Sequence, residues 1–268
     1  KKLRNGYHNI SSIITFCDLY DVISVSKLKN SKDIISFSGQ FKNGINKKIN
    51  TATKVLKLIR QNKLLINQNF KINIKKNIPH GSGLGGGSSN AATILKGLCI
   101  LYDLNASYEK LINVAIDLGA DVPFFLEGGL QEASGIGEVL TPLNDCITGT
   151  YLMVIPDIKI NTAWAYNSYK KFLEHSKEKV NFKELLKKDI VPLELFENDF
   201  ESIVIPAYPE IGKVKETLWA TGPKFVSLSG SGSTVYGIFN NEADAKFAEL
   251  NISPKHNAFI ARPISKIR

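Results

Sequence analysis

The segment Pro79-His80-Gly81-Ser82-Gly83-Leu84-Gly85-Gly86-Gly87-Ser88-Ser89-Asn90-Ala91-Ala92 constrains this chain more than any other. It packs five glycines and three serines between a strand pattern and a helix pattern. Glycine lets backbone reach positive φ and approach a ligand closely, at an entropic cost that a plain corner has no reason to bear. Successive N–H groups in such a loop turn inward and form an anion cradle. The helix that follows adds the partial positive charge of its N-terminus, and Ser88 and Ser89 add hydroxyl donors. A nucleotide phosphate is the guest this favours. A Walker A loop is excluded, because Gly87 stands where lysine is required. A dinucleotide fingerprint fits on paper: Gly81, Gly83 and Gly86 satisfy GxGxxG, and Asp103 follows at about 20 residues. Against it, the preceding strand alternates as Phe70-Lys71-Ile72-Asn73-Ile74, whereas a central parallel strand is apolar throughout. A loop that only turns a corner is the remaining alternative.

The flanking periodicities set an α+β class with two lobes. Ile10–Phe16 and Asp21–Ser26 read as neighbouring strands, with Ile34–Ser38 continuing the pattern. Thr51–Arg60 is helical, and Ala52, Val55, Leu56 and Ile59 share one face. Ser88–Leu101 carries a wide apolar stripe and is expected to be deeply buried; Ser107–Leu118 follows, stopped by Gly119. A boundary falls near Thr148-Gly149-Thr150, giving lobes 1–149 and 150–268. The second lobe opens with strand Tyr151–Ile155. Helices are expected at Thr162–His175, Phe182–Lys187, Leu193–Glu201 and Tyr208–Trp219. Strands Lys224–Ser227 and Thr234–Phe239 flank a second glycine-serine turn. Helix Glu242–Leu250 precedes a closing strand, His256–Arg262, which could return to the first lobe.

Composition narrows the class of function. The chain has 268 residues and a net charge of +9, but its lysines are spread in pairs (Lys47-Lys48, Lys75-Lys76, Lys170-Lys171, Lys187-Lys188). That pattern reads as a solvated basic surface or one attracting phosphorylated small molecules, rather than a nucleic-acid stripe. No apolar run approaches the about 18 residues needed to span a bilayer, and no apolar stretch follows Lys1-Lys2-Leu3-Arg4, so a cytoplasmic location is expected. Cys17, Cys99 and Cys146 form no CxxC pair and read as reduced thiols, and the four histidines show no metal-binding spacing.

Three further elements are weaker alone. Asp121, within Leu118-Gly119-Ala120-Asp121-Val122-Pro123-Phe124-Phe125, is either a turn former or a carboxylate that accepts a substrate hydroxyl proton. Ser229-Gly230-Ser231-Gly232-Ser233-Thr234 is a hairpin turn or a second anion-contacting loop. Tyr7 and His8 are surface or core filling, or a stacking ring beside a tunable donor that holds a nucleobase. Trp164 and Tyr166 read first as core aromatics.

Taken together, Gly6-Tyr7-His8, the glycine segment, Leu118–Phe125, Asn198-Asp199-Phe200-Glu201 and Ser227–Phe239 resemble, in order, the motifs of the GHMP small-molecule kinases. The resemblance covers nearly the whole chain. It implies a ribosomal-S5-domain-2-like ATP lobe facing a ferredoxin-like lobe across a cleft. The triple glycine before Ser88 is similar to the branch that moves the ATP γ-phosphate to the 2-hydroxyl of a cytidine-diphosphate-linked methylerythritol, in isoprenoid precursor synthesis. On that resemblance Asp121 matches the catalytic base, and Pro79 with Gly81–Ser89 match the ATP phosphate loop. Asn50 aligns with an adenine contact. Tyr7, His8 and Tyr166 match cytosine contacts, Thr162 lies near the acceptor, and Gly230, Ser231 and Gly232 match the third motif and are expected to bind the substrate. Mg²⁺ is implied with ATP, with Ser88 a candidate contact. No partner beyond the small-molecule substrate is implied, and a monomer or weak homodimer is expected. The family opens with an Ala-Lys-x-Asn-Leu strand whose lysine pairs with the catalytic aspartate. Lys1 and Lys2 stand too close to Gly6 to serve, so that lysine is expected upstream. The alternatives are a homoserine- or mevalonate-type kinase of the same family, or a non-catalytic RNA-binding protein of the same lobe architecture.

Overall fold

The structure is a computed structural model that describes residues 9–29, 32–104, 108–143, 147–169, 184, 193–252 and 254–264. Its first half is built on β3 (Val22–Leu28), β4 (Ile34–Ser38) and β5 (Asn69–Lys75), ordered β3-β5-β4. The alternation of β5 sends Phe70, Ile72 and Ile74 into the core and leaves Lys71 and Lys75 exposed. Two helices, α1 (Thr51–Gln61) and α2 (Gly86–Leu101), cover that face with Val55, Leu56, Ile59, Ile94, Leu95 and Leu98. Each such side chain contributes about 1.5–3 kcal/mol relative to exposure. The α1 N-terminus is fixed by a capping box, in which Asn50 accepts from the Thr53 amide and Thr53 from the Asn50 amide.

The two expected neighbours at the start of the chain do not pair. β1 (Ile10–Ile14) joins a separate sheet, β1-β6-β7, with β6 (Leu130–Gly135) and β7 (Val139–Leu143). β3 instead pairs antiparallel with β5, so both early strands take distant partners. Between α3 (Tyr108–Leu118) and β6 lies a short helix, α4 (Val122–Glu127), with proline in its first turn.

The second half forms a four-stranded antiparallel sheet from β8 (Thr150–Ile155), β9 (Phe225–Leu228), β10 (Val235–Phe239) and β11 (Asn257–Ala261). Its order, β11-β8-β10-β9, is that of a ferredoxin-like lobe. Every residue of β8 is buried. Leu152 and Val154 face one apolar cluster, with Ile211, Leu218 and Phe239, while Tyr151 and Met153 face another, with Phe225 and Ile238. Among the described residues its main helices are α5 (Thr162–Tyr169), α6 (Glu201–Ala207), α7 (Pro209–Trp219) and α8 (Glu242–Ile252). The expected helix over Leu193–Glu201 is replaced by a 3₁₀ turn at Leu193–Leu195 and a loop, with α6 beginning at Glu201. The Asn198 side chain accepts from the Phe200 amide and the Ser202 hydroxyl bonds back to Asp199, local bonds that compete with helix. The expected helix at 182–187, except residue 184, and the end of the one at 162–175 lie outside the described residues. The closing strand β11 stays in the second sheet beside β8; the two residues of β12 (Pro263–Ile264) then pair with β2 (Phe16–Cys17).

Candidate active site

Beneath the glycine loop lies a buried ion pair that includes Lys76, one of the paired lysines expected on a solvated surface or one attracting phosphorylated small molecules. Lys76 is 4% exposed and its ammonium meets Asp21. The Asp21 carboxylate also accepts the Asn77 and Ile78 amides at 2.7 and 2.9 Å and the Asn90 side chain at 2.9 Å. One carboxylate thus ties the end of β3 to the strand that enters the loop and to the helix that leaves it. The alternation of β5 continues one residue past the strand, so Lys76 follows Phe70, Ile72 and Ile74 inward while Lys75 stays exposed; the sequence does not mark the carboxylate that it meets.

Above this support, Gly85 adopts φ +64° as the residue before α2, and no side chain caps the helix. The first-turn residues Gly86, Gly87, Ser88 and Ser89 line the cleft. An uncapped helix N-terminus in a concave wall is a ready anion site. A Cβ at Gly85 would lie 2.7 Å from the Phe125 ring, so glycine is required there by both conformation and space. Ser82 is buried and bonds the Pro79 carbonyl at 3.0 Å, closing the loop on itself. Leu84 anchors the loop in the apolar cluster around Tyr151, Met153 and Phe225.

The second glycine-serine turn clasps this loop. The Ser229 hydroxyl donates to the Gly83 carbonyl at 3.0 Å and the Thr234 amide to the Ser82 carbonyl at 3.0 Å. Ser231 and Thr162 share a hydroxyl hydrogen bond of 3.1 Å. Tyr166 packs edge-on against Phe200, with ring centroids 4.9 Å apart.

Asp121 sits immediately before α4 and its side chain does not cap that helix. It keeps substantial solvent contact, yet protein closes around it on the cleft wall, and the loss of surrounding water raises its carboxyl pKa above the ordinary range. The β6–β7 turn approaches it, since a Cβ on Gly137 would stand 3.7 Å from Oδ1. Burial, and after it the Asp121 charge, raise the Tyr166 phenol. The aspartate of the first half and the aromatic of the second line the same cleft.

The cleft is continuous and of about 2650 Å³, several times the about 300–1,000 Å³ of a single-ligand pocket. Its walls bring together Asn50, Pro79, Gly81–Ser89, Asp121, Thr162, Tyr166, Gly230 and Ser231. Gly232 does not reach the wall; it packs against Ile160 and Leu228. Tyr7 and His8 lie outside the described residues. The Asn50 carboxamide is committed to α1, accepting from Thr53 and donating to the Asn46 and Lys47 carbonyls, which leaves its backbone as the simpler contact for a ligand. Asp21, Lys76, Asn90 and Asn198 also line the cleft and were not among the residues expected from sequence.

This is the architecture of a phosphotransferase with two substrate walls. The model of the GHMP kinases N terminal domain matches residues 50–129, and that of the GHMP kinases C terminal matches residues 181–257. The chain belongs to the GHMP kinase family and is an ATP-dependent phosphotransferase. More particularly, it is 38% identical over 259 residues to a 4-diphosphocytidyl-2-C-methyl-D-erythritol kinase of Thermodesulfovibrio yellowstonii, covering 92% of this chain and 87% of the relative. It is 36% identical over 247 residues to the protein of the same name from Chlorobaculum tepidum, covering 90% and 84%. A crystal structure of 4-(cytidine 5'-diphospho)-2C-methyl-D-erythritol kinase superposes with a TM-score of 0.79 at 26% identity, over 98% of this chain and 92% of that one. Mevalonate kinase of L. major, at TM-score 0.69 and 16% identity over 97% and 91%, shares the fold.

Proposed function

We propose that this protein transfers the γ-phosphate of ATP to the 2-hydroxyl of 4-diphosphocytidyl-2-C-methyl-D-erythritol, a step of non-mevalonate isoprenoid precursor synthesis. The observation that carries the reading is the juxtaposition, in one cleft, of an uncapped helix N-terminus with Asp121 and Tyr166 opposite. We take 1–149 as the ATP lobe and 150–268 as the acceptor lobe, acting as a monomer or weak homodimer in the cytoplasm without a nucleic-acid partner. Among the described residues no helix is long and apolar enough to cross a membrane.

Phosphoryl transfer passes through a loose transition state, so positioning and charge neutralisation supply most of the rate. The α2 N-terminus and loop amides hold the triphosphate. Tyr166 and Thr162 orient the acceptor, with Tyr7 and His8 on its base. Asp121 takes the hydroxyl proton as the new P–O bond forms. Mg²⁺ carried with ATP would neutralise phosphate charge. Among the described residues no three acidic, histidine or cysteine side chains gather to hold a metal, so the nucleotide would supply most of its oxygens and Ser88 one from the loop.

ADP release by the full-length protein against a panel of alcohols tests the reading. Turnover restricted to the cytidyl-linked acceptor, and competed by CMP, is expected; turnover of homoserine or mevalonate in its place would overturn it. Binding to RNA that survives moderate salt would restore the nucleic-acid alternative. Asp121→Asn should lower kcat by about 10²–10⁴-fold with ATP affinity retained. Because the folded pKa of Asp121 is raised, the folded state holds this proton more tightly than the unfolded chain. That residue therefore costs stability above its folded pKa, and the cost disappears as pH falls. Asp121→Asn should accordingly leave the thermal midpoint equal or higher at neutral pH, with the gain vanishing in acid. A lower neutral midpoint would count against a desolvated carboxylate. Gly85→Val should instead weaken ATP binding itself, because φ +64° and the Phe125 ring leave no room for the side chain.

A further inference from the structure

The element Asn198-Asp199-Phe200-Glu201 matched the family in sequence, yet no step above uses it. Each of its residues reaches a different part of the acceptor wall. The Asn198 carboxamide donates to the Leu228 and Gly230 carbonyls at 2.7 and 2.8 Å and accepts from the Phe200 amide at 3.0 Å. All three of these bonds are near the optimal length, and both donor hydrogens are used on the backbone that flanks Ser229. Asp199 accepts the Tyr169 hydroxyl at 2.8 Å, fixing the end of α5. Phe200 presents its face or edge to Tyr166 at an interplanar angle of 88° and also touches Tyr169. Glu201 accepts the Leu228 amide at 2.8 Å and the Ser227 hydroxyl at 3.1 Å, and pairs with Lys215.

We propose that Asn198 and Phe200 are positioning residues for the acceptor. Asn198 sets the backbone of the Gly230–Ser231 turn, and Phe200 sets the Tyr166 ring, so that one four-residue element places both acceptor-side contacts together. The turn's carbonyls are drawn back toward Asn198, while Ser231 meets Thr162. The inference rests on the proposed reaction, since it presumes a base stacked at Tyr166.

Three variants of the full-length protein test it: Asn198→Asp, Phe200→Leu and Phe200→Tyr. Asn198→Asp replaces two donors by a carboxylate facing two carbonyls. It should lower kcat/KM for the acceptor by about 10- to 100-fold, the cost of a misplaced contact. ATP affinity should fall less than the acceptor value, because the turn reaches the ATP loop only through the Ser229–Gly83 and Thr234–Ser82 hydrogen bonds. Phe200→Leu should weaken CMP binding, read by calorimetry, by about 3- to 10-fold, the worth of one aromatic pair. Phe200→Tyr keeps the ring and should restore it. Equal losses for ATP and acceptor, or unchanged CMP binding in Phe200→Leu, would overturn the proposal. If Asn198→Asp does not fold, the Phe200 pair decides. A wild-type protein that ignores the cytidyl-linked acceptor would instead break the proposed reaction, whatever the variants do.

Discussion

Two glycine- and serine-rich segments meet on the wall of the cleft, Gly81–Ser89 and Ser229–Thr234, and they are held by opposite means. The first rests on a buried charge: Asp21 and Lys76 beneath it, with Asn90 and two backbone amides completing the carboxylate's shell. The second is held by a neutral carboxamide, Asn198, that donates to the Leu228 and Gly230 carbonyls on either side of Ser229. In the first segment the support leaves the helix N-terminus uncapped, so its donors face the cleft. In the second the Ser229 and Gly230 carbonyls are engaged by the Gly232 amide and Asn198, and Ser229, Gly230 and Ser231 line the cleft. Two segments of like composition are thus suited to different tasks, an anion cradle and a positioning clasp.

The largest test of this contrast is Asp21→Ala. It leaves the Lys76 ammonium buried without its partner and strips the Asn77 and Ile78 amides of an acceptor. Breaking a buried pair from one side costs about 3–5 kcal/mol. Denaturant unfolding should show that loss, and ATP affinity should fall with it. A loss no greater than that from Asn198→Ala would mean that the charged support does nothing the neutral one does not.

Gly83→Ala attacks the contact between the two segments. Gly83 has φ +81°, and a Cβ there would stand 2.3 Å from the Ser229 carbonyl and 2.8 Å from that of Gly232. Backbone cannot yield cheaply at both places, so a destabilisation of about 1–3 kcal/mol is expected from the strained φ together with the displaced turn. Since the substitution pushes loop and turn apart, KM for ATP and for the acceptor should both rise. A rise in the ATP value alone would show that the turn follows the loop passively.

The sequence disclosed these segments unequally, for reasons visible in particular residues. The glycine loop was legible because its signal is local: a run of positive-φ residues followed at once by a helical stripe. Helices α1 and α2 were legible for the same reason. Pairing was not. Ile10–Ile14 and Val22–Leu28 look like partners along the chain, but their hydrogen bonds go to Leu130–Gly135 and Asn69–Lys75. Strand partners tens of residues away for the one, and over 100 for the other, leave no mark on a strand's own alternation. The α4 helix could have been read from Asp121-Val122-Pro123, a proline in the first helical turn, and the β6–β7 hairpin from Gly135-Ile136-Gly137. Lys76 could not, because a buried lysine is defined by the carboxylate it meets, and Asp21 lies 55 residues away. At the site, the residue types were legible and the division of labour was not: Asn50 caps a helix, and Asn198 holds a turn.

The smallest test falls on a single hydroxyl. Ser229→Ala removes the donor to the Gly83 carbonyl and leaves the Thr234-to-Ser82 backbone bond in place. A hydrogen bond of this kind contributes about 0.5–1.5 kcal/mol, so the thermal midpoint should drop only slightly. Its kinetic reading is sharper than its size. If the clasp couples the two walls, the binding of CMP and of a non-hydrolysable ATP analogue should be mutually favourable in the wild type and less so in Ser229→Ala. Such a coupling is reciprocal by thermodynamic necessity, so each ligand must change the other's affinity by the same factor. Coupling undiminished in Ser229→Ala would assign it to the Thr234 amide and the Leu84 anchor. Undiminished coupling when Gly83→Ala has also parted the segments would show that the two walls act independently.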